Sequence, residues 1–344
     1  MTSNARKPRL AVLLGDPAGV GPEMAVKLLA RAENATTADL LLIAPRSALA
    51  SGERFAGARV ATTEINDAAN LRFTPGRITH LVQPEPSAVS PALGACSESA
   101  GAAALNALAL ATELARQGRI DGIVFAPLNK HSLRMAGMTE EDELRFMQTR
   151  FGVETFTCEF NITGNLWTSR VTSHVPVREV ADLITPQAVR AAVHIIDSAL
   201  RRAGIAQPRI AVSGLNPHAG DGGSIGREEI EVIAPAVEGL RKEGLDATGP
   251  WSPDTVFIAA RRGDFDAVVS MYHDQGQIAM KLMGFEKGVT LHGGLPVPVA
   301  TSASGSAFDI AGKGIARVDG LQAAFDLCAR MAGQKLREPA AVAV

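Results

Sequence analysis

Short apolar runs that alternate with helix-like segments are the feature that most constrains how this chain can fold. The clearest run, 266–271, contains adjacent valines and is followed by His-Asp-Gln-Gly (273–276) and a helical segment from Ile278. An apolar run with β-branched residues predicts a buried strand. The periodicity of 186–202 predicts an amphipathic helix that begins at Pro186. Strands alternating with helices favour a mostly parallel sheet with helical crossovers, which is an α/β fold. Further strands are predicted at 10–14, 40–44, 122–126 and 208–213.

Length and composition exclude several classes of protein. The 344 residues suit two domains or one large α/β unit, and 46% apolar content is typical of a folded protein. A net charge of −2 argues against a nucleic-acid binder that relies on a basic surface. The chain lacks both a long apolar run and a signal-peptide core, so we expect a cytoplasmic protein without a membrane span. Three widely spaced cysteines predict neither a disulfide framework nor a cysteine zinc site.

Three of the seven histidines directly follow predicted strands in turn-rich segments, and they are His174, His218 and His273. In α/β folds, ligands bind beyond the carboxyl ends of the strands. Three imidazoles that leave one coordination position open are typical of a catalytic divalent metal site. The three histidines are far apart in the sequence and form no local motif, so three separate capped turns remain the alternative. Imidazoles alone do not identify the metal, because several transition metals accept them.

Asp274 and Lys281 are the residues that we predict to be catalytic. Asp274 directly follows His273, and Lys281 lies on the helix predicted after it. A divalent metal polarises a hydroxyl or carbonyl oxygen, and a nearby carboxylate or amine moves the proton or holds an anion. A hydroxyl carbon held in this way is ready to lose a hydride to a nicotinamide cofactor.

Four segments together resemble one enzyme family. They are GDPAGVGPE (15–23), APLNK (126–130), NPHAGDGG (216–223) and YHDQG (272–276). In sequence and order they resemble the 4-hydroxythreonine-4-phosphate dehydrogenase family of pyridoxine biosynthesis, over nearly the whole chain. The segment GSAFDIAGKG (305–314) also resembles the nicotinamide-binding loop of isopropylmalate and isocitrate dehydrogenases.

This resemblance implies a fold with two domains. Each domain is expected to be α/β/α, as in isopropylmalate and isocitrate dehydrogenases, with a central cleft. The first domain would contain residues 1–127 and 300–344, with the nicotinamide loop at 304–314. The second domain would contain residues 128–299 and carry the metal and the dimer contacts.

The resemblance also implies the cofactors and the reaction. In a homodimer with a shared active site, His174, His218 and the partner subunit's His273 would hold one divalent metal, such as zinc, cobalt or magnesium. NAD or NADP would oxidise the substrate's hydroxyl group, and the resulting β-keto acid would lose carbon dioxide. The residues implied in cofactor binding are Gly305, Ser306, Asp309 and Gly312.

The residues implied in substrate binding are Thr139, Lys281 and Thr290, but the chain departs from the family around them. Met138 stands where the family has a histidine, Thr290 where it has an asparagine, and Val299 where it has an arginine. Valine cannot replace a guanidinium group at a phosphate. We therefore predict a family member with retained metal and redox residues and an altered substrate site. A non-phosphorylated hydroxy acid or an aromatic cis-dihydrodiol carboxylate is the alternative to the family substrate.

Two other classes of function remain open. A metal-dependent lyase or hydrolase would use the same histidines with water in the open position, and the segment 305–314 argues against it. A non-catalytic binding protein needs no metal Lewis acid, so the retained histidines, Asp274 and Lys281 argue against that function. The expected partners of the enzyme are a small hydroxy acid and a second copy of the chain, with no nucleic acid or membrane.

Overall fold

The computed structural model describes residues 6–85 and 91–337. The ends of the expected first domain, at 1–5 and 338–344, lie outside the described residues, as does the segment 86–90. Within the described part of the chain, no helix is both long enough and apolar enough to cross a membrane.

The chain forms two compact units. Unit 1 comprises Met1–Glu154 and Leu295–Val344, and unit 2 comprises Thr155–Gly294. The boundary expected at 127/128 therefore falls within unit 1, and the boundary expected at 299/300 lies close to the observed one at 294/295.

Strands and helices alternate along the chain, which confirms the α/β fold class predicted from the sequence. The strands are β1 (Arg9–Leu13), β2 (Asp39–Pro45), β3 (Thr62–Ile65), β4 (Ile78–Gln83), β5 (Gly122–Phe125), β6 (Cys158–Thr163), β7 (Leu166–Arg170), β8 (Ile210–Ser213), β9 (Ala247–Trp251), β10 (Ala267–Ser270), β11 (Val289–Gly293) and β12 (Val299–Ser302). The α-helices are α1 (Gly21–Leu29), α2 (Ala32–Thr37), α3 (Arg46–Ala56), α4 (Glu98–Arg116), α5 (Lys130–Met135), α6 (Glu143–Phe151), α7 (Val177–Leu183), α8 (Pro186–Arg202), α9 (Ala234–Lys242), α10 (Val256–Arg261), α11 (His273–Gly284) and α12 (Asp319–Lys335).

The strands of unit 1 are all parallel and lie in the order β3-β4-β2-β1-β5-β12. Leu10, Val12 and Leu13 of β1 are at most 2% exposed, so both faces of this strand are covered. Strands buried on both faces are near-continuous apolar runs, which is why they were visible in the sequence. The strand order reverses between β1 and β5, and such a switch point is where α/β sheets bind ligands.

The strands of unit 2 lie in the order β11-β6-β7-β10-β8-β9. The strands β7, β10, β8 and β9 are parallel, whereas β6 pairs antiparallel with both β7 and β11. Since the carboxyl ends of β7, β10 and β8 meet at one edge, the loops after these three strands are neighbours.

Helix α11 begins earlier than the sequence suggested. The sequence predicts a helical segment only from Ile278, but the helix starts at His273. Gly276 allows the first turn of α11 to lie close to Ser270 at the end of β10, because a Cβ atom at position 276 would lie 2.9 Å from Oγ of Ser270. The imidazole, the carboxylate and the amide that follow β10 are therefore presented by the first turn of a helix.

Candidate active site

The three predicted metal ligands follow adjacent parallel strands of unit 2. His174 comes after β7, His218 after β8, and His273 opens α11 after β10. The rings of His174 and His273 are neighbours, with their centroids 5.7 Å apart and tilted by 42°. Among the described residues, the three histidines do not form a group whose ligand atoms all lie within 4.8 Å of one another. One chain thus brings together His174 and His273, and His218 lies in the loop after the strand next to β10.

Asp274 orients the imidazole of His273. Nδ1 of His273 donates a hydrogen bond to Oδ1 of Asp274 at 2.6 Å, which leaves Nε2 as the ring nitrogen for a ligand. A carboxylate on the second ring nitrogen is the usual arrangement around a metal-binding histidine. These residues therefore fit a divalent metal, and imidazole donors favour zinc or cobalt over magnesium.

His218 lies in a loop with a left-handed backbone. The five residues from His218 to Gly222 have φ between 44° and 80°. This conformation costs roughly 1–2 kcal/mol for each residue with a side chain, so the surroundings must hold it in place. Glu229 is 2% exposed and accepts hydrogen bonds from the backbone amides of Leu215 and Asn216, both at 2.7 Å. A buried carboxylate thus fixes the start of the loop.

Gln275 connects the loop after β10 to the end of β8. Its Oε1 accepts a hydrogen bond from the backbone amide of Met271 at 2.7 Å, and its Nε2 donates to the carbonyl of Gly214 at 2.8 Å. These contacts tie the segment before His273 to the segment before His218. Gln275 is part of the YHDQG segment, but its role is not evident from the sequence, because its partner lies 61 residues away.

Asp274 and Lys281 lie on one face of α11. They are seven residues apart, which is about two helical turns, so their side chains project in similar directions. Both side chains are exposed, and the carboxylate of Asp274 is 71% exposed. The helix therefore presents an acid and a base from the same element that carries His273.

Thr290 lies on β11 directly opposite Asn161 on β6. Nδ2 of Asn161 lies 3.5 Å from Oγ1 of Thr290, at the long limit of a hydrogen bond. An amide is thus present beside Thr290, on the neighbouring strand.

In unit 1, the loops after β1 and β12 lie against each other at the switch point. The backbone amide of Val20 donates to the carbonyl of Ser306 at 3.0 Å. Gly19 is required here, because a Cβ atom would lie 2.6 Å from the same carbonyl oxygen. The predicted nicotinamide loop is therefore positioned by the glycine-rich loop after β1.

The predicted cofactor-binding residues share this segment. Among the described residues other than its two chain neighbours, none has a heavy atom within 4 Å of the place where a Cβ would stand on Gly305, so this backbone is open to a ligand. Asp309 is exposed within the 3-10 turn Phe308–Ile310, and Gly312 has a φ of 78°.

Helix α1 anchors the far end of the loop. Nζ of Lys27 donates to Oε1 of Glu23 at 2.7 Å and to the carbonyls of Gly314 and Ala316 at 3.1 and 2.8 Å. The same oxygen of Glu23, a residue that is 1% exposed, accepts the backbone amide of Ala316 at 2.8 Å. The sequence motif that contains Glu23 therefore helps to hold the loop that carries the predicted cofactor residues.

A buried carboxyl group follows β1. Asp16 is 1% exposed, and its Oδ1 accepts a hydrogen bond from the amide of Ala18 at 2.8 Å. Burial raises the pKa of Asp16 above its ordinary value of 3.8, although the Ala18 amide and the Ser132 hydroxyl oppose this shift. Burial therefore makes ionisation of this acid less favourable than ionisation of an exposed aspartate.

Two departures from the family pattern fall in the apolar core of unit 1. Met138 is 5% exposed and Val299 is 0% exposed, and both belong to one buried cluster. Thr139 is exposed instead, and its hydroxyl donates to Oε2 of Glu140 at 3.3 Å. Thr139 is thus accessible to a ligand, whereas Val299 is not.

A family model described as pyridoxal phosphate biosynthetic protein PdxA matches residues 36–328. A Pseudomonas aeruginosa protein provisionally named 4-hydroxythreonine-4-phosphate dehydrogenase 2 is 50% identical over 333 residues, which cover 95% of this chain and 98% of that protein. A Bordetella bronchiseptica protein named D-threonate 4-phosphate dehydrogenase is 40% identical over 337 residues, which cover 96% of this chain and 95% of that protein.

A solved structure is similar along nearly its whole length. The crystal structure of a 4-hydroxythreonine-4-phosphate dehydrogenase from Burkholderia phymatum matches with a TM-score of 0.79 and 36% identity. The match covers 95% of this chain and 98% of that chain.

Proposed function

We propose that this chain, which belongs to the PdxA family, is a dehydrogenase that oxidises a hydroxyl group of a phosphorylated four-carbon hydroxy acid. The resemblance stated from its sequence segments is confirmed by the family match and by relatives of up to 50% identity. The observation that carries the proposal is that relatives matching at least 94% of this chain are named as dehydrogenases of hydroxythreonine 4-phosphate or D-threonate 4-phosphate.

The two named substrates share the chemistry that the proposal needs. Each has a four-carbon chain with a phosphate at one end, a carboxylate at the other, and a hydroxyl group on the carbon β to the carboxylate. Oxidation of that hydroxyl gives a β-keto acid, which readily loses carbon dioxide. We therefore include decarboxylation in the proposed reaction.

The proposed metal ligands are His174 and His218 of one subunit together with the partner subunit's His273. A bound zinc or cobalt ion would supply a Lewis acid that polarises the hydroxyl and keto oxygens of the substrate. Asp274 accepts a hydrogen bond from Nδ1 of His273, which leaves Nε2 as the ring nitrogen for the metal. We assign Lys281 to the substrate's anionic groups and to proton transfer at the hydroxyl, since it shares a helix face with Asp274.

The proposed hydride acceptor is NAD or NADP, bound by Gly305, Ser306, Asp309 and Gly312. The open backbone at Gly305 and the contact between Val20 and Ser306 support this assignment. Thr139 and Thr290 are the further proposed substrate contacts.

A homodimer with a shared active site completes the proposal. Ile278 and Leu282 of α11 are 60% and 84% exposed, although large aliphatic side chains are usually buried. Their position on the helix that carries His273 and Lys281 supports a subunit interface close to the proposed metal ligands.

The test is reduction of NAD and NADP by the purified, cobalt-loaded or zinc-loaded protein, followed by absorbance at the wavelength of the reduced nicotinamide. The substrates are D-threonate 4-phosphate, 4-hydroxythreonine 4-phosphate, non-phosphorylated threonate and a cis-dihydrodiol carboxylate. Each is assayed with and without chelator, and carbon dioxide release is measured in parallel. His273→Ala is compared with His194→Ala, since His194 pairs with Glu243 on the unit surface.

We expect chelator-sensitive turnover of one phosphorylated acid, lost in His273→Ala and retained in His194→Ala. Turnover of only the non-phosphorylated acid or the dihydrodiol would overturn the phosphate assignment and retain the redox chemistry. Absence of nicotinamide binding and of all turnover would overturn the dehydrogenase proposal and favour a lyase or hydrolase.

A further inference from the structure

The side chain of Glu229 contacts the loop that carries His218. It belongs to a π-helical turn, Glu229–Ile233, a rare form that is frequent at functional sites. Its Oε1 accepts hydrogen bonds from the backbone amides of Leu215 and Asn216, and its Oε2 accepts one from Nδ2 of Asn216 at 3.0 Å. Both carboxylate oxygens are therefore bonded to the segment just before His218.

The middle of the loop packs on the same carboxylate. Gly220 is buried, and a Cβ atom there would lie 2.7 Å from Oε2 of Glu229. His218 lies between Gly220 and the two bonded amides, and its φ is 52°, which residues with a side chain rarely adopt. Glu229 thus contacts the loop on both sides of this left-handed residue.

Asn216 makes the contact specific for a carboxylate at position 229. Its Nδ2 donates to Oε2 of Glu228 at 2.7 Å as well as to Oε2 of Glu229. A glutamine at 229 whose oxygen accepts the two backbone amides would turn its NH₂ group toward Nδ2 of Asn216, so that two donors would face each other. Turning over the amide of Asn216 would instead place its oxygen against the carboxylate of Glu228. Neither arrangement satisfies all the groups, so a neutral side chain of the same size should loosen the loop.

We propose that Glu229 is a positioning residue that holds the left-handed backbone at His218 and thereby prepares this imidazole for the metal. It acts through the backbone amides of Leu215 and Asn216, through the amide side chain of Asn216 and through its packing against Gly220. Without these contacts, His218 relaxes toward the backbone conformations that residues with a side chain favour, and only molecules that regain the left-handed form bind the metal. The inference rests on the proposed function, because His218 is one of the metal ligands assigned there.

The experiment compares Glu229→Gln with wild type in the full-length protein and uses cobalt as the probe. Backbone hydrogen exchange over 214–220 is measured without metal, and cobalt binding is titrated by its visible absorption bands. If about one molecule in ten of the variant keeps the left-handed loop, its apparent affinity falls about 10-fold. We therefore expect about 10-fold weaker cobalt binding and faster exchange at 215 and 216. The bands of the cobalt-saturated variant should match those of wild type, because the ligands themselves are unchanged.

Two control variants separate release of the loop from a general loss of stability. The same substitution at Glu238, an exposed position of α9, should change neither measurement. Ile196→Val removes a methyl group from a fully buried position of α8, so it should lower the melting temperature. It should nevertheless leave cobalt binding and exchange over 214–220 unchanged.

The outcomes separate this inference from the proposed function. Unchanged exchange in Glu229→Gln, or unchanged cobalt binding where wild type binds cobalt, would overturn the inference. If wild type binds no cobalt, the metal assignment of the proposed function fails. Faster exchange in Glu229→Gln would then still support the hold of Glu229 on the loop, and equal exchange would overturn it. If Glu229→Gln does not fold, Asn216→Ala takes its place, because it removes the amide that bridges the two carboxylates. Weaker binding and faster exchange in that variant would support the inference, and wild-type values would overturn it.

Discussion

At the scale of single residues, burial decides what a polar side chain can do. The carboxyl of Asp16 is buried at the switch point of unit 1, beside the amide of Ala18. Burial disfavours its charged form, and the raised pKa follows from that cost. Asp274, by contrast, is largely exposed and is bonded to His273. Two aspartates that follow strand ends in similar sequence patterns thus have opposite environments.

Asp16→Asn should change how stability depends on pH. Because the folded pKa of Asp16 is raised above 3.8, the unfolded chain loses this proton first as pH increases. Wild-type stability therefore falls as pH rises from about 4 through the folded pKa, and the asparagine variant does not share that loss. Urea unfolding at a series of pH values should show the free energy of unfolding of the variant rising relative to that of wild type until the pH passes the folded pKa of Asp16. A stability difference that is constant with pH would contradict this origin.

Val299→Arg should destabilise unit 1 and should not create a phosphate site. The position is fully buried on β12, and an unpaired charge in such a place costs several kcal/mol. We expect a lower melting temperature or insoluble protein, with no gain in affinity for a phosphorylated substrate. Thr290→Asn is the matched variant, because its position is only partly buried, and it should fold with nearly wild-type stability. Tighter binding of the phosphorylated acid by Val299→Arg would show that the position reaches the substrate.

At the scale of elements, the sequence predicted what depends on local pattern. Helix α8 has the predicted bounds, Pro186–Arg202, because its apolar periodicity and its first proline are both local. The predicted start of α11 at Ile278 was wrong. A His-Asp-Gln-Gly segment resembles a turn unless the contacts of Gly276 and Gln275 are known. No strand was predicted for β9, which contains a glycine and a proline and lies at the edge of unit 2.

In the candidate site, too, the features that depend on local pattern were predicted and those that depend on distant contacts were not. The histidines were identified because each follows an apolar strand, which is a local signal. The supporting contacts were not identified, because Gln275 meets Gly214 from 61 residues away and Glu229 meets Leu215 from 14 residues away. Likewise, the anchor formed by Glu23 and Lys27 depends on partners almost 300 residues away in the sequence. Contacts of this kind require the fold.

Lys27→Met should loosen the loop that carries the predicted cofactor residues. The substitution removes the hydrogen bonds to the carbonyls of Gly314 and Ala316 and leaves the buried Glu23 without its cation. Hydrogen bonds to charged groups contribute about 1.5–3 kcal/mol each, so we expect faster amide exchange at 312–318 and a KM for the nicotinamide raised about 10-fold, with kcat nearly unchanged. The control is Lys335→Met at the end of α12, which removes the contact of Lys335 to the carbonyl of Pro296. An effect on kcat alone, with unchanged exchange, would contradict a role in loop anchoring.

At the scale of the whole molecule, α11 carries both proposed active-site residues and an exposed apolar surface. His273 and Lys281 lie on the same helix as Ile278 and Leu282, whose side chains are 60% and 84% exposed. The latter two are four residues apart and form one apolar strip along the helix. A second subunit that covers this strip would lie close to His273, which agrees with the proposed sharing of the metal site.

Leu282→Glu should therefore dissociate the proposed dimer and abolish its activity together. A charge buried against an apolar partner surface is costly, so the variant should elute as a folded monomer, with the mass determined by light scattering. Activity should fall in parallel, because a monomer lacks the partner's His273, and it should partly return at high protein concentration. Ile258→Glu provides the control, since Ile258 is 60% exposed on α10 and its replacement should leave mass and activity unchanged. A monomeric but fully active Leu282→Glu would exclude a shared site, and an unaffected dimer would place the interface away from α11.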